Sequence, residues 1–195
     1  MSISNFNTYY ENIDYVFWRS LCIKEGILRH YEKGQFFVEQ GQVARYIGYI
    51  KSGTLKYVAY AADGSERVVG LEFADEFVAD FPFSLYGRKS RISIVAASHC
   101  EIYCFSTKEV GVRMKSDEEL YRIIAETNVA LFDTIYTRYI ELHTKSVQER
   151  YNELITKHDN IFSMFPLKDI ASFLNITPTH LSRLRECLNL NQIKH

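Results

Sequence analysis

Three hydrophobic periods follow one another along the chain. After a polar, aromatic start, Tyr15, Phe17, Trp18 and Leu21 mark a short helix over 14–22. The segments 27–31, 35–38, 46–51, 54–60, 66–73 and 91–104 are then rich in β-branched and aromatic residues. Glu32-Lys33-Gly34, Glu39-Gln40-Gly41, Lys51-Ser52-Gly53 and Ala62-Asp63-Gly64-Ser65 punctuate them, as turns do between strands. Short strands with no long helix between them predict an antiparallel barrel or jelly roll, with Asp63-Gly64 as the clearest hairpin tip.

Beyond Phe105 the period becomes helical. Ser106 or Thr107 is placed to cap a short helix through Met114, and Asp117 to cap a long one over 118–145, about 42 Å at the α-helical rise. Within it Tyr121, Ile124, Asn128, Leu131, Ile135, Arg138 and Leu142 recur at alternating steps of three and four, the spacing of a coiled-coil seam. A neighbouring row, Leu120, Ile123, Thr127, Ala130 and Thr134, suits packing along the protein's own barrel. A helix apolar on two sides needs two partners. We therefore expect a homodimer interface of Tyr121, Ile124, Asn128, Leu131, Ile135 and Leu142, with Asn128 helping to fix register. A further helix is expected over 146–157 and a loop over 158–160.

The last pattern spans 167–185. Leu167, Ile170, Ala171 and Leu174 share one face of a short helix, and Leu181, Leu184 and Leu188 one face of the next. Asn175 tolerates a left-handed backbone, Ile176 plugs the corner, and Thr177 with Pro178 can open the second helix. This reads as a helix-turn-helix, and the competing reading is an ordinary helical hairpin. With the apolar faces buried, Thr179, Ser182, Arg183 and His180 face outward, where base readers sit; Thr177 and Arg185 complete the expected DNA-binding set.

The fold class expected is α+β: a β-roll with flanking helices over 1–116, a long dimerisation helix over 117–145 and a helix-turn-helix domain over 146–195. A composition 47% hydrophobic and 24% charged argues for a folded chain. The net charge of -1, with the segment after Ser146 nearly balanced, argues against strong nonspecific attraction to DNA. Binding would rely on local placement of charge and on dimerisation. Neither a signal peptide nor a membrane span is apparent, so a cytoplasmic protein with no membrane partner is expected. Cys22, Cys100, Cys104 and Cys187 are scattered and read as reduced thiols.

The order of helix, glycine-punctuated roll, long helix and helix-turn-helix resembles the Crp/Fnr family of bacterial transcription regulators over nearly the whole chain. Ile176 to Leu184 looks like that family's recognition helix, which by position implies base reading by Thr179, Ser182 and Arg183; many members carry Glu where this chain has Thr179. The resemblance also implies a palindromic operator in double-stranded DNA, and contact with RNA polymerase. Asp75-Glu76-Phe77-Val78-Ala79-Asp80-Phe81, followed by Ser90-Arg91-Ile92-Ser93, resembles the family's phosphate-binding cassette, so Phe77, Ala79, Asp80, Ser90 and Arg91 outline an effector pocket. Here Ala79-Asp80 stands for Gly-Glu, Ser90 occupies the place of the phosphate-holding Arg, and Arg91 falls one residue late. On a strand that displacement turns Arg91 to the opposite face. Cyclic AMP is therefore disfavoured, and Asp80 reads as a structural turn or helix-end ligand.

A lone Cys22 near the start disfavours an iron–sulfur cluster, and lone His30 and His99 disfavour haem. No metal site or catalytic residue is expected, and the effector stays open. The sequence ends soon after Leu190, so no wing strands are expected after the second helix. Two rival readings stand beside the regulator. A cupin-like metal enzyme would need several histidines converging in the roll, and a ligand-binding module could dock on another protein without touching DNA.

Overall fold

Asp14 opens the first helix, α1 (Tyr15–Glu25), by accepting the Phe17 N–H at 2.8 Å, in a computed structural model that describes residues 12–192. Eight strands follow: β1 (Ile27–Tyr31), β2 (Phe36–Val38), β3 (Tyr46–Ser52), β4 (Leu55–Tyr60), β5 (Glu66–Glu72), β6 (Phe77–Val78), β7 (Ser93–Ala96) and β8 (Cys100–Ser106). They form two four-stranded antiparallel sheets, ordered β1-β8-β3-β6 and β2-β7-β4-β5. Ile50, Leu55, Val78, Ile94, Cys100 and Ile102 fill the space between them.

The expected strand over 91–104 is two strands. The Ala97 N–H bonds to Thr54 O at 2.8 Å, and the Ser98 hydroxyl accepts the Thr54 N–H at 3.0 Å. These bonds draw 97–99 out of the ladder and pass the chain from one sheet to the other. Gly53 lies beneath this crossing at φ 92°, where a Cβ would come within 2.3 Å of His99 O. Only glycine fits both the backbone angle and the contact.

Helix α2 (Thr107–Arg113) is capped by Ser106, and α3 (Glu118–Thr144) by Asp117. Leu120, Ile123, Thr127, Ala130 and Thr134 are buried on the protein's own core, as their spacing predicts, and the Trp18 indole donates to Thr127 Oγ1 at 2.9 Å. The expected seam needs correction. Ile124 is buried at 3% exposure, and Leu131 is packed against the same cluster as Trp18, Phe105 and Val110. The first turns of α3 are covered by their own domain on two sides, which buries Ile124 within its own subunit and half-buries Leu131. The exposed apolar row is instead Tyr121, Val129, Phe132, Ile135, Tyr136, Tyr139 and Leu142. Half-buried Asn128 keeps a buried Oδ1 without a hydrogen-bonding partner among the described residues.

Four helices complete the chain: α4 (Val147–Lys157), opened by a Ser146–Glu149 capping box, α5 (Ile161–Met164), α6 (Leu167–Phe173) and α7 (Pro178–Gln192). They do not stand apart from the roll. Val68, Leu71, Phe73 and Ala97 share one core with Tyr151, Leu154, Ile161, Phe165, Ile170, Ala171, Leu174 and Leu181. Ser172 Oγ accepts the Val68 N–H at 2.9 Å, and Lys56 Nζ meets Asp169 Oδ2 at 2.9 Å with both side chains largely buried. Phe73 and His158 stack at 3.7 Å and 9°. Leu188, expected on the buried stripe of the last helix, has a side chain outside the described residues.

Removing Asp169 leaves Lys56 buried with only the more distant Glu66, at 3.9 Å, to oppose its charge. Asp169→Ala should lower stability by about 3 kcal/mol in urea denaturation, and pairing Asp169→Leu with Lys56→Met should restore most of it. His158 contributes a pH dependence. Burial depresses its basicity below the ordinary 6.5, so the unfolded chain takes up the proton first and stability falls as pH drops through that value. In His158→Phe, melting temperatures between pH 7 and pH 5.5 should decline less steeply than in the parent protein.

Candidate DNA-reading helix and effector site

Four buried residues set the angle between α6 and α7: Ile170, Ala171, Leu174 and Leu181, all at 3% exposure or less. Ala171 is small where the helices cross. Asn175 takes φ 57°, in the left-handed region that asparagine tolerates, while the Ile176 N–H returns to Ala171 O at 2.9 Å. Thr177 Oγ1 then accepts the His180 N–H at 3.2 Å and opens α7.

This arrangement leaves Thr177, Thr179, His180 and Arg183 exposed and Ser182 half-buried. Thr179, Ser182 and Arg183 share one outward face over the first two turns of α7. Arg185 departs from the expected set. It lies four positions after buried Leu181, on the same face, and its guanidinium sits 3.9 Å over the Phe162 ring. It braces α7 on α5 and is turned away from the outward face. Sequence reasoning passed over Glu186, which is exposed and lies about 20° from Thr179 around the helix. Its seven-residue spacing from Thr179 was the available signal. A carboxylate there can accept from cytosine N4.

The cassette is built differently from a phosphate site. Ser90 is buried and its hydroxyl donates to Ile92 O at 2.8 Å. Arg91 is exposed, with its guanidinium 5.1 Å over the Phe83 ring; it lies in the bend before β7, so the bend and not a strand register sets its direction. Asp80 is buried with Oδ2 unpartnered among the described residues, and burial pushes its carboxyl up, with the Ser90 hydroxyl and Arg91 charge pulling partly back. The expected turn contact comes from its backbone, since Asp80 O accepts the Ser84 N–H at 3.0 Å, and the carboxylate takes no part in it. The Tyr57 hydroxyl both donates to Ala79 O and accepts from Ala79 N, at 3.3 Å each. Phe77 packs edge-on against Tyr15. Between the roll and α3 this leaves a cavity of about 50 Å³, lined among others by Trp18, Tyr57, Ala79 and Thr127. That is room for one or two waters.

His30 and His99 lie 6.0 Å apart and exposed, paired with Glu101 and Glu32, so they do not converge inside the roll as a cupin-type centre requires. Among the described residues no group of three or more His, Cys, Asp or Glu is placed to hold a metal ion. Cys22, Cys100 and Cys104 are free and buried, and Cys187 is free and exposed. No helix among the described residues is long and apolar enough to cross a membrane.

Residues 28–117 match the cyclic nucleotide-binding domain. Over 172 residues, 82% of this chain and 70% of the other, the sequence is 26% identical to a Rhizobium leguminosarum bv. viciae protein named "Probable transcriptional activator". The fold is similar to that of FixK2 from Bradyrhizobium japonicum, with a TM-score of 0.74 at 14% identity and 86% of each chain covered. It is also similar to a crp/fnr-family protein of Eubacterium rectale, with a TM-score of 0.71 at 14% identity over 93% of this chain and 86% of that one. With its nucleotide-binding-type roll, long helix and C-terminal helices, the chain has a fold similar to these structures, and residues 28–117 carry the match to the cyclic nucleotide-binding domain.

Proposed function

We propose that the protein is a homodimeric transcription regulator that reads a palindromic DNA operator through α7. The observation that carries this reading is the outward face of Thr179, Ser182 and Arg183, held clear of the protein by the docking of α6 and the cap at Thr177. An arginine in that position can bond O6 and N7 of a guanine together, and Ser182 can bond either purine. The name of the Rhizobium leguminosarum relative supports a role in transcription.

Dimerisation supplies what net charge does not. With a formal charge of -1 the chain gains little from nonspecific attraction to phosphates, so two half-sites read together carry the specificity. The exposed row Phe132, Ile135, Tyr136 and Tyr139 on α3 is apolar enough to bury against a second copy. The joint at 144–148 is where the reading units would turn, and RNA polymerase is the expected further partner on the DNA. The cassette argues against a cyclic nucleotide as effector: its arginine lies outside and Tyr57 occupies the inside.

Selection of bound sequences from a random duplex pool, run in parallel for the parent protein and Arg183→Ala, tests this reading. The parent should enrich a palindrome with half-site centres about 10 bp apart. The variant should lose preference at one base position per half-site, a discrimination of about 1–3 kcal/mol. An Arg183→Ala profile identical to the parent's, or no enrichment by the parent, would overturn it; the latter would favour the protein-docking module.

A further inference from the structure

The roll's own cavity is small, but a larger opening lies where the roll, α3 and the reading unit meet. A cleft of about 440 Å³ is lined by β5, α3, α4 and α6, within the range of about 300–1,000 Å³ typical of small-molecule sites. Val68, Leu142, Phe173 and Leu174 give it apolar walls.

Its charges are unequal. Arg67, Arg138, Arg150 and Lys157 line the cleft against two acids, Glu141 and Glu153. Both acids are already bridged by Lys145, at 2.8 and 2.5 Å. Four cationic side chains thus face the opening, with Arg138 lying 5.8 Å over the Phe173 ring. Arg150 donates from Nη1 to Lys145 O at 2.6 Å and from Nη2 to Leu174 O at 3.1 Å, which fixes its plane. Its Nε is buried with no hydrogen-bonding partner among the described residues. A guanidinium favours a carboxylate.

We infer that this cleft binds a small amphipathic carboxylic acid, with its carboxylate at Arg150 and its apolar body along Val68, Leu142 and Phe173. Thr134, Thr137 and Glu141 line it from the side of α3 away from Phe132, Ile135 and Tyr139. A second copy seated on Phe132, Ile135 and Tyr139 leaves that side of the cleft open, with Leu142 at the edge shared by the two. The walls come from both sides of the 144–148 joint, so an occupant touches the roll and the reading unit at once. Any control of DNA affinity that follows rests on the regulator reading above and equals the acid's differential affinity for the two placements of that unit; occupancy itself does not rest on it.

Calorimetric titration of the full chain, without DNA, uses decanoate and 1-naphthoate as probes and decanol as the uncharged control. At least one acid should bind at one site per chain, with no saturable binding of decanol up to about 1 mM. Val69→Trp, at an exposed position on the cleft wall, and Arg150→Gln should each weaken the acid at least about tenfold. Arg150→Gln also removes two hydrogen bonds of the fold, so Val69→Trp, checked for an unchanged melting temperature, is the deciding variant. Saturation by neither acid at about 1 mM, equal binding of decanol, or undiminished binding by Val69→Trp would each overturn the assignment. Failure of this titration leaves duplex selection untouched, and failure of duplex selection leaves the titration untouched, so the two readings fall separately.

Discussion

The burial of α6 on strand β5 is the contact on which the rest of the molecule depends. β5 is the last strand of its sheet, so its outer backbone groups have no strand beside them. The Ser172 hydroxyl takes the Val68 N–H, and Ile170, Ala171 and Leu174 join Val68, Leu71 and Phe73 in one core. The Lys56–Asp169 pair is worth less as net stabilisation than as a constraint on position, since desolvation offsets much of its attraction. It fixes which turn of α6 meets which residue of β4. The angle at which α7 is presented, the cleft at Arg150 and the Phe73–His158 stack all follow from that placement.

The same frame explains how a roll similar to the cyclic nucleotide-binding domain holds together without a phosphate site. A phosphate pocket needs a cation turned inward and backbone free to approach the ligand. In this protein Ser90 faces in, Arg91 faces out over Phe83, and the Tyr57 hydroxyl holds both backbone groups of Ala79. The roll is packed as a core, and a cleft of about 440 Å³ lies at the boundary between the roll and the reading unit.

Much of this was legible in the residues, and the exceptions share a cause. Local signals read correctly: the caps at Ser106, Asp117 and Thr177, and the left-handed Asn175. What failed depended on contacts distant in sequence. Ile124 and Leu131 have seam spacing, but α1 and α2 cover that side of α3. The strand at 91–104 breaks because Thr54 captures Ala97 and Ser98. Lys56 and Asp169 are 113 positions apart, and neither announces the other. Arg185 is a different case, because its helical phase could be counted and only the docking of α5 shows which direction is inward.

The most direct test of the central claim, that paired α7 helices read DNA from one symmetric molecule, is footprinting of the protein on its selected duplex with guanine N7 methylation interference. The account predicts two protected major-groove segments on one side of the duplex, about 34 Å apart, each with one guanine whose methylation blocks binding. A single protected segment, or protection without a guanine requirement, would contradict it.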